Sequence, residues 1–416
     1  MPTPSTHRHI LALLFAGRAA RMLANGALAV CLGLYLASRG FSTRQVGILI
    51  TCAMLGDATI SLGLTLVADR VGRRRVLAAG AVLMVLASAG FLFLHSFVAL
   101  CALAFVAVFS ANGREVGPFL PVEQAGIAER TEAESRTHIL AYYNFVGFLS
   151  GGLGALLVGG AAWYAREYRG NEALGYSWIV IGYGLVGLVL IVFALMLPAG
   201  MEARSPTVAP RFGLHKSRGI VMRLSCLFAL DSFAGGLVLQ SLLALWLSLR
   251  FGLRPESIGG YFFVAELLAG FSGLVAARLA SRFGLIHTMV FTHLPANCLL
   301  ILVAFAPTAG LALALLVLRA SVSSMDIPTR QAYTLAVVDP DERSAAGGVT
   351  NIARSIGNSF SPAIAGTLIG IPALISSPLI LAGGLKIAYD LLLLKAFRNT
   401  KPAHEQAKEA RTSTRW

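Results

Sequence analysis

Asp69-Arg70-Val71-Gly72-Arg73-Arg74-Arg75 stands between an apolar run that ends near Ala68 and another that opens at Val76. A turn this short and this basic, set between two apolar runs, reads as a cytoplasmic connection between two membrane spans, because lysine and arginine accumulate on that side of a bilayer. The rest of the chain agrees. Of 416 residues, 56% are hydrophobic and only 13% are charged, which is more apolar surface than one soluble core can hide. The composition specifies an all-α protein that lives in a lipid bilayer.

Runs of about 20 apolar residues, each able to cross a hydrocarbon layer of about 30 Å, fall near 10–38, 44–68, 76–95, 97–125, 137–163, 175–198, 219–249, 256–280, 285–306, 308–336, 344–371 and 374–397. These are the expected spans 1 to 12. Arg18 and Arg21 interrupt the first run, so it reads as a retained span and not as a removable signal peptide. With both termini cytoplasmic, the inner segments hold 21 Lys and Arg, and the outer loops hold six: Arg39, Arg44, Arg166, Arg169, Arg250 and Arg254. That asymmetry argues for an even number of spans. It also explains the net charge of +14 by inner loops that face anionic lipid headgroups, with no nucleic-acid partner required. Cys31, Cys52, Cys101, Cys226 and Cys298 are scattered singly through apolar runs, without the spacing of a disulfide or metal site. No cofactor or metal is expected.

The chain repeats itself. At an offset of 207, Pro121-Val-Glu-Gln124 falls on Pro328-Thr-Arg-Gln331, Arg136 on Arg343 and Asn144 on Asn351. Nearer the start, an offset of 212 lays Gly40 to Gly47 on Gly252 to Gly259. The expected organisation is a six-helix bundle over 1–198, a cytoplasmic linker over 199–218 containing Pro206 and Pro210, a second bundle over 219–397 and a basic tail over 398–416.

Residues Thr65 to Arg74 resemble the loop 2–3 pattern of the major facilitator superfamily, Gly-x-x-x-Asp-Arg-x-Gly-Arg-Arg/Lys. Asp69, Arg70, Gly72, Arg73 and Arg74 match, and Thr65 replaces the opening Gly. Arg114-Glu115-Val116-Gly117 resembles the Arg-x-x-Gln-Gly signature of proton-coupled members, without its Gln and with Gly one residue early. The resemblance implies a monomeric secondary transporter, not an enzyme, in which spans 1, 4, 7 and 10 line a central cavity and two halves alternate access. It implies a conformational gate of Asp69, Arg70, Gly72, Arg73 and Arg354, with Asp69 near the start of span 11 around Ser344 to Gly348. Span 5 lacks the Gly-Pro pair of the superfamily's antiporter signature, and the loop 129–137 lacks its sugar-porter signatures.

Charge inside the bilayer is costly and usually faces a bundle interior or a wet cavity. The proton-coupling candidates are therefore Glu115, Asp231, Glu266, Asp326 and Asp57, and the substrate-cavity candidates are Arg18, Arg21, Asn25, Arg114, Gln240, Arg319 and Ser323. Arg18, Arg21 and Asn25 share one helix face, as do Arg319, Ser323, Asp326 and Arg330. Gly147, Gly151 and Gly154 in span 5 form a small-residue stripe suited to close helix packing. Lys386 and Asp390, four residues apart in span 12, are expected to pair with each other. The leading function is proton-coupled export of a small organic solute across a plasma membrane, a bacterial inner membrane. Uptake or exchange of an organic anion is the alternative within the class, and a transporter-like sensor is the alternative outside it.

Overall fold

A computed structural model describes residues 4–114, 117–198, 201, 215–339 and 342–397. The linker from 202 to 214, the tail from 398 and the coupling candidate Glu115 lie outside the described residues, as do the side chains of Asp69 and Arg70. The chain is a succession of helices: α1 (Pro4–Ser38), α2 (Thr43–Val71), α3 (Arg73–Phe93), α4 (Phe97–Val106), α5 (Phe119–Ala128), α6 (Ala133–Arg169), α7 (Glu172–Met196), α8 (Arg218–Gly236), α9 (Gln240–Phe251), α10 (Pro255–Phe283), α11 (Leu285–Ala304), α12 (Ala309–Ser323), α13 (Asp326–Ala336), α14 (Arg343–Ile369) and α15 (Ser377–Phe397).

Twelve spans account for these fifteen helices, because three spans are built from two helices each. Span 4 is α4 plus α5, span 7 is α8 plus α9, and span 10 is α12 plus α13. The expected continuous run over 97–125 is corrected on this point. Between α4 and α5 lies Ser110-Ala-Asn-Gly113 followed by Gly117-Pro118, and Gly113 and Gly117 adopt φ of 64° and 73°. Left-handed backbone and a proline without an N–H interrupt a helix, whatever its hydropathy. Expected runs 219–249 and 308–336 are likewise divided, at Leu237–Leu239 and at Ser324–Met325.

Local chemistry sets several boundaries. Gly170, at φ 63°, ends α6, and the Asn171 side chain accepts the Ala173 N–H at 3.0 Å to open α7, as expected for a left-handed C-cap followed by an Asn N-cap. Gly72, at φ 107°, separates α2 from α3. The lipid-facing pattern is clear on α7. It buries Val180, Tyr183, Gly184, Gly187 and Leu190 and exposes Leu185, Leu188, Val192 and Leu195, so apolar side chains cover its outer face too, as hydrocarbon surroundings permit.

Two compact units can be distinguished. The first comprises Met1–Thr207, Leu239–Leu267 and Pro362–Ile375, and the second Val208–Val238, Leu268–Ser361 and Ser376–Trp416. In the first, α1 lies tightly against α6: a Cβ on Gly26 would stand 2.1 Å from the Gly151 carbonyl oxygen, and one on Gly154 would stand 2.0 Å from that of Leu23. The glycine stripe thus serves close helix packing, as its sequence suggested. In the second, Leu224, Phe228, Met289, Val290, Tyr333, Tyr389 and Leu393 form a buried core that ties α8, α11, α13 and α15 together.

Candidate functional site

The break in span 4 frees backbone groups that must find partners inside a membrane. The Ala111 carbonyl accepts both the Ser241 N–H at 3.1 Å and the Ser241 hydroxyl at 2.8 Å, and the Val108 carbonyl accepts the Tyr183 hydroxyl at 3.0 Å. Asp57 supplies the remaining support. Its Oδ1 accepts the Gly117 N–H at 2.7 Å and the Ser61 hydroxyl at 2.8 Å. Around the same break lie Asn25, Ser110, Asn112 and Gln240: the Gln240 N–H donates to Asn112 Oδ1 at 3.4 Å, and Tyr183 reaches Asn25 Oδ1 at 3.4 Å. The Asn25 Nδ2, Gln240 Nε2 and Trp246 Nε1 donors and the Ser110 hydroxyl are buried without a hydrogen-bond partner among the described residues. Such groups cost free energy unless something else satisfies them.

Elsewhere in the first unit, α1 and α5 carry an ion pair. Arg21 donates through both terminal nitrogens to Glu123, at 2.9 and 2.7 Å, and the Tyr143 hydroxyl donates to the same carboxylate. Arg21 and Glu123 are 1% and 3% exposed, so the two-point geometry compensates two charges removed from water. The Phe119 ring lies 4.3 Å from the Arg21 guanidinium. Arg18, one turn earlier, donates Nε–H to the Tyr143 carbonyl at 3.0 Å and stacks over the Tyr143 ring at 4.4 Å. Gly147 leaves the space for it, since a Cβ there would stand 2.7 Å from an Arg18 nitrogen.

In the second unit, Asp231 on α8 is shared by two cations. Lys386 Nζ donates to Oδ1 at 2.6 Å and Arg330 Nη1 to Oδ2 at 3.1 Å, while Arg330 also bonds Asp326 Oδ2 at 2.9 Å. The expected pairing of Lys386 with Asp390 is therefore corrected. Asp390 instead receives His293 Nδ1 at 2.9 Å on one oxygen and Asn297 Nδ2 at 2.9 Å on the other. Residues four apart on a helix do neighbour each other, but both side chains here point into the bundle, where α8 and α11 offer buried partners that need compensation. His293 and Asn297 were not foreseen. Their signal in the sequence is two polar residues four apart in an otherwise apolar span.

The other candidates are distributed as follows. Arg114 lies over the Phe148 ring at 5.4 Å and supplies the positive charge that acts on Glu266, whose side chain packs beside Gly152. Arg319 and Ser323 are half-buried on α12, just before the break. Arg354 donates to the Ser232 hydroxyl at 3.2 Å, next in sequence to Asp231. At the basic loop, Arg73 is buried and forks onto Glu129 with two bonds of 2.7 Å, and Arg74 donates to the Leu195 carbonyl at 2.8 Å. The loop thus ties together one end of spans 3, 4 and 6. Among the described residues, no cluster of three or more His, Cys, Asp or Glu could hold a metal.

Twelve spans, two internal repeats, a polar break in span 4 and buried charge on spans 1, 4, 7, 10 and 12 agree with one family, and residues 14–362 match it. The chain belongs to the Major Facilitator Superfamily. It is a multi-pass membrane transporter and not an enzyme. It is 25% identical over 92% of its length to an uncharacterized membrane protein of Saccharomyces cerevisiae, of which it covers 93%. The nucleoside transporter NupG superposes with a TM-score of 0.73 at 13% identity, over 93% of this chain and 99% of that one. A D-xylose–proton symporter superposes with a TM-score of 0.71 at 16% identity, over 95% and 97%. Superfamily membership gives the buried charges a context, since ionisable side chains within membrane spans are costly and usually face a bundle interior.

Proposed function

We propose that this superfamily member exports a small polar organic solute in exchange for protons, working as a monomer in a bacterial-type inner membrane with both termini cytoplasmic. The two six-helix halves, 1–198 and 219–397, would alternate access through the gate of Asp69, Arg70, Gly72, Arg73 and Arg354. The observation that carries the reading is Asp231, a membrane-buried carboxylate held by cations from two other helices, Arg330 on α13 and Lys386 on α15. A carboxylate that gains a proton releases its cations, and a cation so released can pull on another helix, which links protonation to conformation. The proton dependence of the xylose symporter of the same fold and the match of the loop 2–3 motif support the assignment. Glu115, Glu266, Asp326 and Asp57 are the further coupling candidates.

The solute is proposed to bind at the span 4 break. Asn25 and Gln240 present buried amide donors there without acceptors among the described residues, which suits a solute rich in hydroxyl or carbonyl oxygens. Arg18 and Arg114 extend the candidate set in the first unit, and Arg319 and Ser323 are the candidates of the second. Organic-anion uptake or exchange is the second reading, supported by the arginines of spans 1, 4 and 10. It is weakened at Arg21, whose charge Glu123 already neutralises with two hydrogen bonds.

Flux into and out of proteoliposomes tests the proposal, with a radiolabelled panel of one sugar, one nucleoside and one monocarboxylate, with and without a pH gradient. Accumulation of a neutral polar solute against its gradient, lost in Asp231→Asn while counterflow persists, is the expected result. Accumulation of the carboxylate alone, indifferent to Asp231, would establish the second reading instead.

A further inference from the structure

The strongest unassigned feature is the pair that displaced the expected Lys386–Asp390 contact. Asp390 is 0% exposed and His293 is 4% exposed, so an imidazole and a carboxylate face each other in a part of the bundle assigned no role above. Both carboxylate oxygens are occupied, one by His293 Nδ1 and one by Asn297 Nδ2. With Asp390 ionised, the carboxylate only accepts hydrogen bonds, so Nδ1 carries the hydrogen of its 2.9 Å bond, and Asn297 Nδ2, which also lies 3.3 Å from Nδ1, gives its hydrogen to Asp390. The neutral ring is then the Nδ1–H tautomer, and Nε2 is left as the atom with a lone pair. We propose that Nε2 of His293 is a proton-loading site of this transporter, poised by Asp390 and read out through Asp231.

The titratable and charged groups around this pair come from α15, α8, α13 and α14. On α15 they are Asp390, Lys386 one turn before it, and Tyr389, whose ring meets the imidazole edge-on at 6.1 Å. From α8 comes Asp231, on whose carboxylate a positive charge at the imidazole would act. Beyond it lie Asp326 and Arg330 on α13 and Arg354 on α14. Three carboxylates thus stand against Arg330, Lys386 and Arg354, and the cluster is neutral while the imidazole is neutral. A proton taken from water at Nε2 forms one N–H bond, breaks no bond in the protein and adds one positive charge. That charge is attracted by Asp390 and repels Lys386, one turn away on the same helix. Loading His293 therefore loosens the Lys386–Asp231 bond that joins α15 to α8, by adding a cation that competes for the same acids.

The use of the site rests on the proton-coupled reading, but its existence does not, and the experiment separates the two. The full-length protein, labelled with 15N-histidine in lipid nanodiscs, is titrated from about pH 5 to about pH 9, a range that brackets an ordinary imidazole. His293 is assigned by the signal lost in His293→Asn, which keeps a donor near the Nδ1 position. The expected result is an Nδ1–H tautomer at high pH, uptake of about one proton at Nε2 as the pH falls, and a displaced midpoint in Asp390→Asn. A second readout is maleimide labelling of a Gly347→Cys reporter, at a position open to added side-chain atoms. With the exposed Cys226 and Cys298 replaced by Ala, the ratio of its rate to that of the same reporter in His293→Asn, which carries the thiol's own pH dependence, should change with pH. A His293 signal that stays constant across the range, or one that titrates from the Nε2–H tautomer, overturns the proposal even if gradient-driven flux is found. A titrating His293 in a protein that shows no proton-driven flux upholds the site and overturns only the coupling reading.

Discussion

The pair Arg21–Glu123 in the first unit and the pair Asp231–Arg330 in the second occupy matching places in the internal repeat, with their signs exchanged. Glu123 falls on Arg330 at the offset of 207, and the partner in each case lies on the first span of its half. The first pair is closed: Arg21 meets both oxygens of Glu123 in a two-point bond, and a tyrosine hydroxyl adds a third bond to the same carboxylate. The second is open-ended, because Asp231 divides its oxygens between Arg330 and Lys386, and Arg330 divides its donors between Asp231 and Asp326. A closed pair resists change, whereas a shared carboxylate has alternatives of similar energy. The difference suggests that one half holds and the other switches.

The largest effect should come from Asp231→Ala, which leaves Lys386 and Arg330 facing each other without their common acid. Breaking a buried pair on one side costs about 3–5 kcal/mol, so a thermal melt of the purified variant should show a severe loss, with gradient-driven flux abolished. Glu123→Gln should cost less, about 3 kcal/mol, because the amide still accepts one bond from Arg21 and only one cation is orphaned. The exchange Arg21→Glu with Glu123→Arg should recover part of that loss. If Glu123→Gln proves the more damaging of the two, or if the exchanged pair recovers nothing, the division into holding and switching halves is wrong.

Removing one hydroxyl sharpens the comparison further. Tyr143→Phe takes a donor from Glu123 without touching the ion pair, and hydrogen bonds to charged groups contribute about 1.5–3 kcal/mol; the melt should fall by that amount with transport retained. Gly154→Ala tests the packing that keeps the first pair closed, since its Cβ would stand 2.0 Å from the Leu23 carbonyl oxygen. Overpacking of that kind costs about 1–3 kcal/mol. Gly160→Ala on the same helix, with no atom within 4 Å of the new Cβ, should stay within about 0.5 kcal/mol.

The smallest effect concerns Glu342, just before α14. Burial alone would raise its carboxyl, but the N–H groups of His215, Lys216 and Ser217 all donate to it and hold it down at about 2. A carboxyl depressed in the folded state contributes stability above its unfolded value of about 4.3 and loses it as pH falls toward the folded value of about 2. A melt followed downward from about pH 5 should therefore fall slightly less steeply in Glu342→Gln than in the native chain. Parallel curves would show that the three amides do not respond to the charge.

How much of this was legible beforehand differs from element to element. The twelve spans, the repeat and the small-residue stripe of span 5 follow from hydropathy and spacing, because bilayer thickness and helix periodicity leave few alternatives. The buried charges were also visible, since any ionisable residue at membrane depth stands out against an apolar run. Their partners were not. Lys386 and Asp390 looked like mates at four-residue spacing, yet each bonds across to another helix, and His293 was hidden in a span with no formal charge. The division of span 4 had a signal in Ser110-Ala-Asn-Gly113 and Gly117-Pro118, which mean hydropathy over a long window averages away.

By itself, then, the sequence determined that this chain crosses a membrane twelve times, that its two halves share a plan, and which residues would be costly to leave uncompensated there. Only the tertiary structure decided which charge meets which. Helix periodicity fixes the face on which a side chain stands, but the identity of its partner depends on which neighbouring helix turns a complementary face toward it. In a low-dielectric interior that choice carries several kcal/mol, about as much as breaking a buried pair.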